Sequence, residues 1–468
     1  MFSFTATYTD LYQLTMGQVY FLKGQQDRTA VFDYFFRDRP FGGGYAVFAG
    51  LEDLLGVVET LRFDRQDIAF LRGQGFHPDF LRYLEGFGFH GSIYSAREGD
   101  LVFPIGPVLV VQARIIEAQI LETLLLNILN FQTLIATKAS RMRQAAGQRT
   151  LIDFGLRRAH GPGGYYASRA AIVGGFDATS NVRVGRDYAV PVSGTMAHSF
   201  VQSCADELTA FRDFASGRPQ GCVLLVDTYD TLKSGIPNAI TVAKEMEARG
   251  QRLTAVRLDS GDLAYLSRQA RLMLDAAGLD YVAIAASNQL DEYLIRSLLA
   301  QHAPIDVFGV GTALLTGKPD GAFDGVYKLA AVDGQPRIKL SETMAKVTLP
   351  HMKQVLRVLN SDGTFFGADA VVLAAEADAA TMHHPFDPLT SLAIGPYAKE
   401  PLLQPVMEKG RRLGPARSLR EISQYRQARM DQLPPQYKRF ENPHIYKVGL
   451  SDRLKAERDR LIREHRKA

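Results

Sequence analysis

Four stretches decide how this chain folds: VLLVD at 223–227, LTAVRLD at 253–259, YVAIAASN at 281–288 and IDVFGVGT at 305–312. Each is an apolar run of strand length that stops at a small or acidic residue, and helical patterns at 238–248, 263–277 and 291–300 lie between them. A helix joining two such strands must return the chain to the same end of the sheet, so the series dictates parallel strands. The sequence is therefore read as α/β, a series that fits a doubly wound sheet or a barrel, and residues 131–350 are expected to form an irregular parallel α/β barrel of the TIM type. In such folds the working residues sit at the carboxyl ends of the strands, where Asp227, Asp259, Ser287 and Gly311 fall.

Outward from this region the pattern changes. Residues 1–130 combine a glycine loop at Gly42-Gly43-Gly44, a helix over 51–61 and a strand-rich piece over 91–113, and a long apolar helix over 117–135 leads into the barrel. Residues 351–468 carry scattered strands and end in a charged helical pattern from Ser451. They are expected to pack partly on the N-terminal region as a second, α+β domain. A length of 468 residues suits two or three domains.

Composition narrows the function. Hydrophobic residues at 46 % and charged residues at 22 % exclude a disordered or fibrous chain. Lys and Arg number 54 against 50 Asp and Glu, and a net charge of +4 gives no general affinity for nucleic acid. Two cysteines, Cys204 and Cys222, cannot build a disulfide framework or a four-thiolate zinc site and suit a reducing compartment. No run approaches the roughly 18 consecutive apolar residues of a membrane span, and the start lacks a secretory pattern, so no membrane partner and a cytoplasmic location are expected.

Several motifs carry chemistry. Ser193-Gly194-Thr195-Met196-Ala197-His198-Ser199 offers hydroxyls suited to capping a following helix, with His198 in its first turn, where free N–H groups favour a phosphoryl group on the imidazole. A hydrogen-bonded structural histidine is the alternative. In Arg257-Leu258-Asp259-Ser260-Gly261-Asp262 strand alternation sends Arg257 and Asp259 to one side, a pair suited to an anion plus a ribose diol or magnesium-bound water, or else a structural ion pair. Asp227 and Asp230 repeat the pattern one strand earlier. Carboxylates on adjacent strands can share a hydrated Mg²⁺, whereas Asp230 can equally cap a helix. Gly309-Val310-Gly311-Thr312 and Ser287-Asn288 allow a phosphate close to the backbone, or are ordinary turns. Phe154 and Arg157, three residues apart beyond a strand, can stack on a planar ring and pair with its carboxylate.

Together with Thr9-Asp10-Leu11-Tyr12 and Thr179-Ser180-Asn181, these motifs resemble, in order and from Thr9 to about Val355, the nicotinate phosphoribosyltransferases. The resemblance implies transfer of a ribosyl phosphate from 5-phosphoribosyl-1-diphosphate to nicotinate, with Mg²⁺ and with ATP hydrolysis coupled through a phosphohistidine in NAD salvage. It implies that His198 is the modified histidine and that Arg257 and Asp259 act on the phosphoribosyl portion. It also implies that Asp227, with Asp259, holds Mg²⁺ through water, and that Ser287, Gly309, Gly311 and Thr312 dock the 5′-phosphate. Phe154 and Tyr12, the latter from a second subunit, are expected to sandwich the pyridine ring near Arg157, with Ser180 choosing nicotinate and Thr195 among the substrate-binding residues, which makes the working unit a homodimer.

Similar nicotinamide-using enzymes carry an aspartate where this chain has Ser180, and a carboxylate there would repel nicotinate. A nicotinamide phosphoribosyltransferase and a non-catalytic phosphosugar sensor are the competing functions. Lys318, Lys328, Lys339 and Lys346 are candidates for binding ATP, and Gln289 stands where relatives often have a smaller acid.

Overall fold

The computed structural model describes residues 4–343 and 346–467 and divides into two compact units, 138–321 and 1–137 with 322–468. In the first, six strands form one parallel sheet in the order Ala178–Thr179, Thr150–Asp153, Val307–Val310, Ala283–Ser287, Ala255–Leu258, Val223–Leu225. Helices Ile236–Glu247, Leu263–Ala276 and Glu292–Ala300 make the crossovers read from the sequence. Leu224, Val256, Ile284 and Phe308 are fully buried, as expected of strands whose two faces are both covered.

The barrel does not close. The sheet is open, because its edge strands are only two and three residues long and a closed ring of this type takes about eight tilted strands. Beyond the Ala178–Thr179 edge the chain makes a single parallel bridge, Thr179 to Val192.

The second unit holds a seven-stranded sheet built around Thr29–Phe36, Leu109–Arg114 and Ser92–Ser95, paired antiparallel, and a six-stranded mixed sheet whose strands lie between Lys353 and Ser451. The strand Gly325–Val332, inside the stretch read as barrel, instead pairs antiparallel with Thr29–Phe36. Apolar alternation alone does not tell which sheet a strand joins. The helix expected over 117–135 runs from Ile115 to Ala146, and it is long and apolar enough to cross a membrane by composition, yet 72 % of its most apolar segment is buried.

A charged cluster lies inside this unit. The fully buried Arg357 donates to Asp369 and to Asp100 Oδ1 at 2.8 Å, and Arg429 also reaches Asp100 at 3.0 Å. Burial works to raise the Asp100 carboxyl, but the Arg357 and Arg429 charges prevail and hold it below the usual carboxylate range. Removing one partner leaves buried charge uncompensated. Arg357→Met is therefore expected to cost about 3–5 kcal/mol in denaturant unfolding; a loss under about 1 kcal/mol would show the cluster to be solvated.

Candidate active site

The parallel sheet presents its strand ends as two adjoining hollows of about 340 and 390 Å³ that share Phe154, Arg157, Arg257 and Asp259 as a common wall. Arg257 is the centre. It leaves the Ala255–Leu258 strand with its side chain only 12 % exposed, and its guanidinium donates to Ser287 Oγ at 2.9 Å, Thr195 Oγ1 at 2.8 Å and Asp259 Oδ1 at 2.8 Å. The Phe154 ring covers it, 5.4 Å from guanidinium carbon to ring centroid. Ser287 also donates to Asp259. Burial works to raise the Asp259 carboxyl, but the Ser287 hydroxyl and the Arg257 charge outweigh it and hold it below its ordinary range.

Asp227, at the neighbouring strand end, is almost completely buried. Its Oδ2 accepts from the Asp259 N–H at 2.8 Å and the Ser260 hydroxyl at 2.6 Å, whereas its buried Oδ1 accepts no hydrogen bond. His198 faces that oxygen. Its Nε2 lies 3.9 Å from Asp227 Oδ1 and 3.8 Å from Asp259 Oδ2, and its Nδ1 meets Thr228 Oγ1 at 3.1 Å.

The segment that carries His198 differs from the expectation in its capping. The helix is His198–Ser203, with Ala197 at the cap and no capping side chain, because the Thr195 hydroxyl is committed to Arg257. Asp230 does cap a helix, accepting from the Leu232 and Lys233 N–H groups. Asp10 caps Leu11–Leu22 only by position, its carboxylate accepting from Thr123 instead.

On the far side of Arg257 the 340 Å³ hollow gathers Ser287, Gly309, Gly311 and Thr312 with three further cations in reach, Arg157, Arg158 and Lys318. Gly309 is required by packing, since a Cβ there would stand 2.4 Å from the Phe154 ring. Asn288 and Gln289 both hold positive φ, 90° and 46°, in the turn that lines the same hollow. Ser180 shares the other hollow with Thr195 and His198. Arg158 was not singled out from the sequence, although it directly follows Arg157. Lys318 alone of the four lysines lies in this unit. Tyr12 belongs to the other unit, on Leu11–Leu22, and is 49 % exposed.

The family models for nicotinate phosphoribosyltransferase match three consecutive parts of the chain: the N-terminal domain at residues 7–130, the family's central model at 150–365 and the C-terminal domain at 352–457. The chain belongs to the nicotinate phosphoribosyltransferase family. It is 44 % identical to the nicotinate phosphoribosyltransferase of Bacillus subtilis, covering 95 % of this chain and 92 % of that one, and 42 % identical to one from Mycobacterium tuberculosis, covering 97 % and 94 %. The human nicotinic acid phosphoribosyltransferase structure superposes with a TM-score of 0.87 at 33 % identity, over 97 % of this chain and 99 % of that one.

Two of the glycines that line the hollows, Gly309 and Gly194, separate packing from flexibility. Gly309→Ala pushes directly on Phe154, whereas at Gly194 nothing lies within 4 Å of an added Cβ. Thermal or denaturant unfolding is expected to show a loss of about 1–3 kcal/mol for Gly309→Ala and a change within about 0.5 kcal/mol for Gly194→Ala. Equal effects would contradict the contact.

Proposed function

We propose that the chain joins nicotinate to 5-phosphoribosyl-1-diphosphate, giving nicotinate mononucleotide and diphosphate in NAD salvage, with ATP hydrolysis coupled through His198. The observation that carries this reading is the arginine hub: one guanidinium, clamped by three side chains and covered by an aromatic ring, between an anion-ready hollow and a histidine flanked by two carboxylates.

In the transfer, the C1–O bond to diphosphate breaks and its electron pair leaves with the diphosphate, while the pyridine nitrogen lone pair forms the new bond to C1. Positive charge develops on the ribose ring and negative charge on the leaving group. Arg257 supplies fixed positive charge to the latter, already oriented and so with little reorganisation as the bond breaks. Asp259, kept ionised, offers its Oδ2 to the ribose hydroxyls. Ser287, Gly309, Gly311 and Thr312, with Lys318, receive the 5′-phosphate. Phe154 gives the ring a face to stack on, Arg157 a partner for the nicotinate carboxylate, and Ser180 leaves that carboxylate unopposed. Tyr12 of a second copy completes the sandwich, and the half-exposed Tyr12, Leu11, Val19 and Leu22 of one helix suit a homodimer contact.

Magnesium fits these residues only as a largely hydrated ion. Among the described residues no group of three or more His, Cys, Asp or Glu side chains can hold a metal, but Asp227 and Asp259 supply the oxygen chemistry that Mg²⁺ prefers, with waters and substrate phosphates filling its shell. When bound it neutralises diphosphate charge. With the proton of His198 on Nε2, toward the two carboxylates, Nδ1 accepts the Thr228 hydroxyl, and once that hydroxyl turns away the Nδ1 lone pair attacks the γ-phosphorus of ATP as the bond to ADP breaks. Hydrolysis of that phosphohistidine after turnover drives the balance toward mononucleotide. The proposed compartment is the reducing cytoplasm, which suits a chain whose two cysteines are both free.

The test is release of diphosphate from the ribosyl donor by the purified chain, with nicotinate or nicotinamide at equal concentration and with or without ATP. Turnover with nicotinate, stimulated by ATP in the wild type and not in His198→Ala, is expected. Preference for nicotinamide contradicts the substrate assignment, ligand binding without diphosphate release contradicts catalysis, and equal stimulation of the variant contradicts the phosphohistidine.

A further inference from the structure

Asp153 ends the strand Thr150–Asp153, one residue before Phe154, and is fully buried. Its Oδ1 accepts the Gly155 N–H at 2.8 Å and its Oδ2 accepts the Thr179 hydroxyl at 2.7 Å. Its backbone carbonyl accepts the Ser180 N–H at 2.8 Å. Thr179 in turn accepts the Asn181 N–H at 3.0 Å, so its hydroxyl relays one loop to the other. The groups that bond this carboxylate are neutral: burial pushes the carboxyl up, and bonds from Thr179, Gly155 and Ser168 pull against it. A buried acid without a cation is costly to keep, and the chemistry proposed above makes no use of its charge.

We propose that Asp153 is a positioning residue for the ring-binding half of the site, locking the Phe154 turn and the Thr179-Ser180-Asn181 loop in one register. The inference rests on the functional reading above and adds to it the residue that sets the distance between the stacking face and the Ser180 end. The carboxylate is suited to this because both of its oxygens must accept. Asparagine, nearly the same shape, offers one acceptor and one NH₂, so either the Gly155 N–H faces another donor or the Thr179 hydroxyl has to turn away. Serine or alanine would leave both donors without partners. The backbone supports the same junction from the other side, where the Phe154 N–H donates to Val310 O at 2.8 Å. Phe154 is therefore held between Gly309, which leaves room for its ring, and Asp153, which fixes the turn that aims it.

The role is separable from simple stability. Asp153→Asn removes the cost of burying a charge but gives up one of the two accepted hydrogen bonds, and because these effects oppose each other the variant is expected to fold with a Tm within a few degrees of the wild type. Its KM for nicotinate is expected to rise roughly 10- to 100-fold, the effect of about an ångström of misplacement, with the KM for the ribosyl donor changed less than about 2-fold. Thr179→Val breaks the relay alone and is expected to move the nicotinate KM in the same direction. Because the two substitutions act on one hydrogen-bonded network, the double variant is expected to raise the nicotinate KM by less than the product of the two single effects. Should Asp153→Asn fail to fold, the Thr179→Val split between the two KM values decides. An unchanged nicotinate KM, or parallel losses for both substrates that follow a falling Tm, overturns the role while leaving the function intact. Wild-type protein that releases no diphosphate overturns the functional reading and this role with it.

Discussion

The site depends on keeping one guanidinium in one place. Arg257 has more donors than a single carboxylate can satisfy, and three side chains from three different segments take them: Thr195 before the His198 helix, Asp259 from its own strand end and Ser287 from the next strand. A long side chain loses considerable rotamer freedom when fixed in this way, and the loss is offset because the same bonds align the three segments. Asp227 extends the arrangement by accepting the Asp259 N–H, which ties the adjacent strand end to it. Under the proposed transfer, a fork fixed in advance meets the charged leaving group with a field that need not be rearranged as the bond breaks.

The parallel sheet makes this economical in residues. Its strands stop at the same end, so one polar residue per strand is enough to build a continuous lining, while the buried parts remain apolar. The open edge between the Ala178–Thr179 and Val223–Leu225 strands has its own use. The chain from Val192 to His198 is bridged to Thr179 at one end and meets Thr228 through the imidazole at the other, with Thr195 bonded to Arg257 between them. The histidine thus sits on a segment held by side chains, in a short helix without a capping side chain.

Much of this was legible from the sequence because it rests on local pattern. The four apolar runs that end at Asp227, Asp259, Ser287 and Gly311 are strands within one or two residues of the reading, and the helices between them start and stop close to where their periodicity does. Arg257 and Asp259 were paired by alternation alone, and the structure joins them directly. Closure of the barrel was not legible, since it depends on how far two edge strands extend, and strands of two and three residues carry no periodicity. The partner of the Gly325–Val332 strand was equally hidden, because pairing is chosen by tertiary contact across nearly 300 residues. The hydroxyls near His198 were read as caps because cap and ligand to arginine use the same residue types. Asp153 drew no attention because a buried acid at a strand end looks like any other turn residue until its two oxygens are seen to be occupied.

The most direct test of the hub is Arg257→Lys, assayed for nicotinate-dependent diphosphate release alongside a measurement of its thermal stability. Lysine keeps the charge but cannot serve Thr195, Asp259 and Ser287 from a fixed planar fork. The account predicts a fall in kcat/KM of roughly 100-fold or more in a variant that still folds. Turnover within a few-fold of the wild type would contradict it, because charge without the fixed fork would then be sufficient.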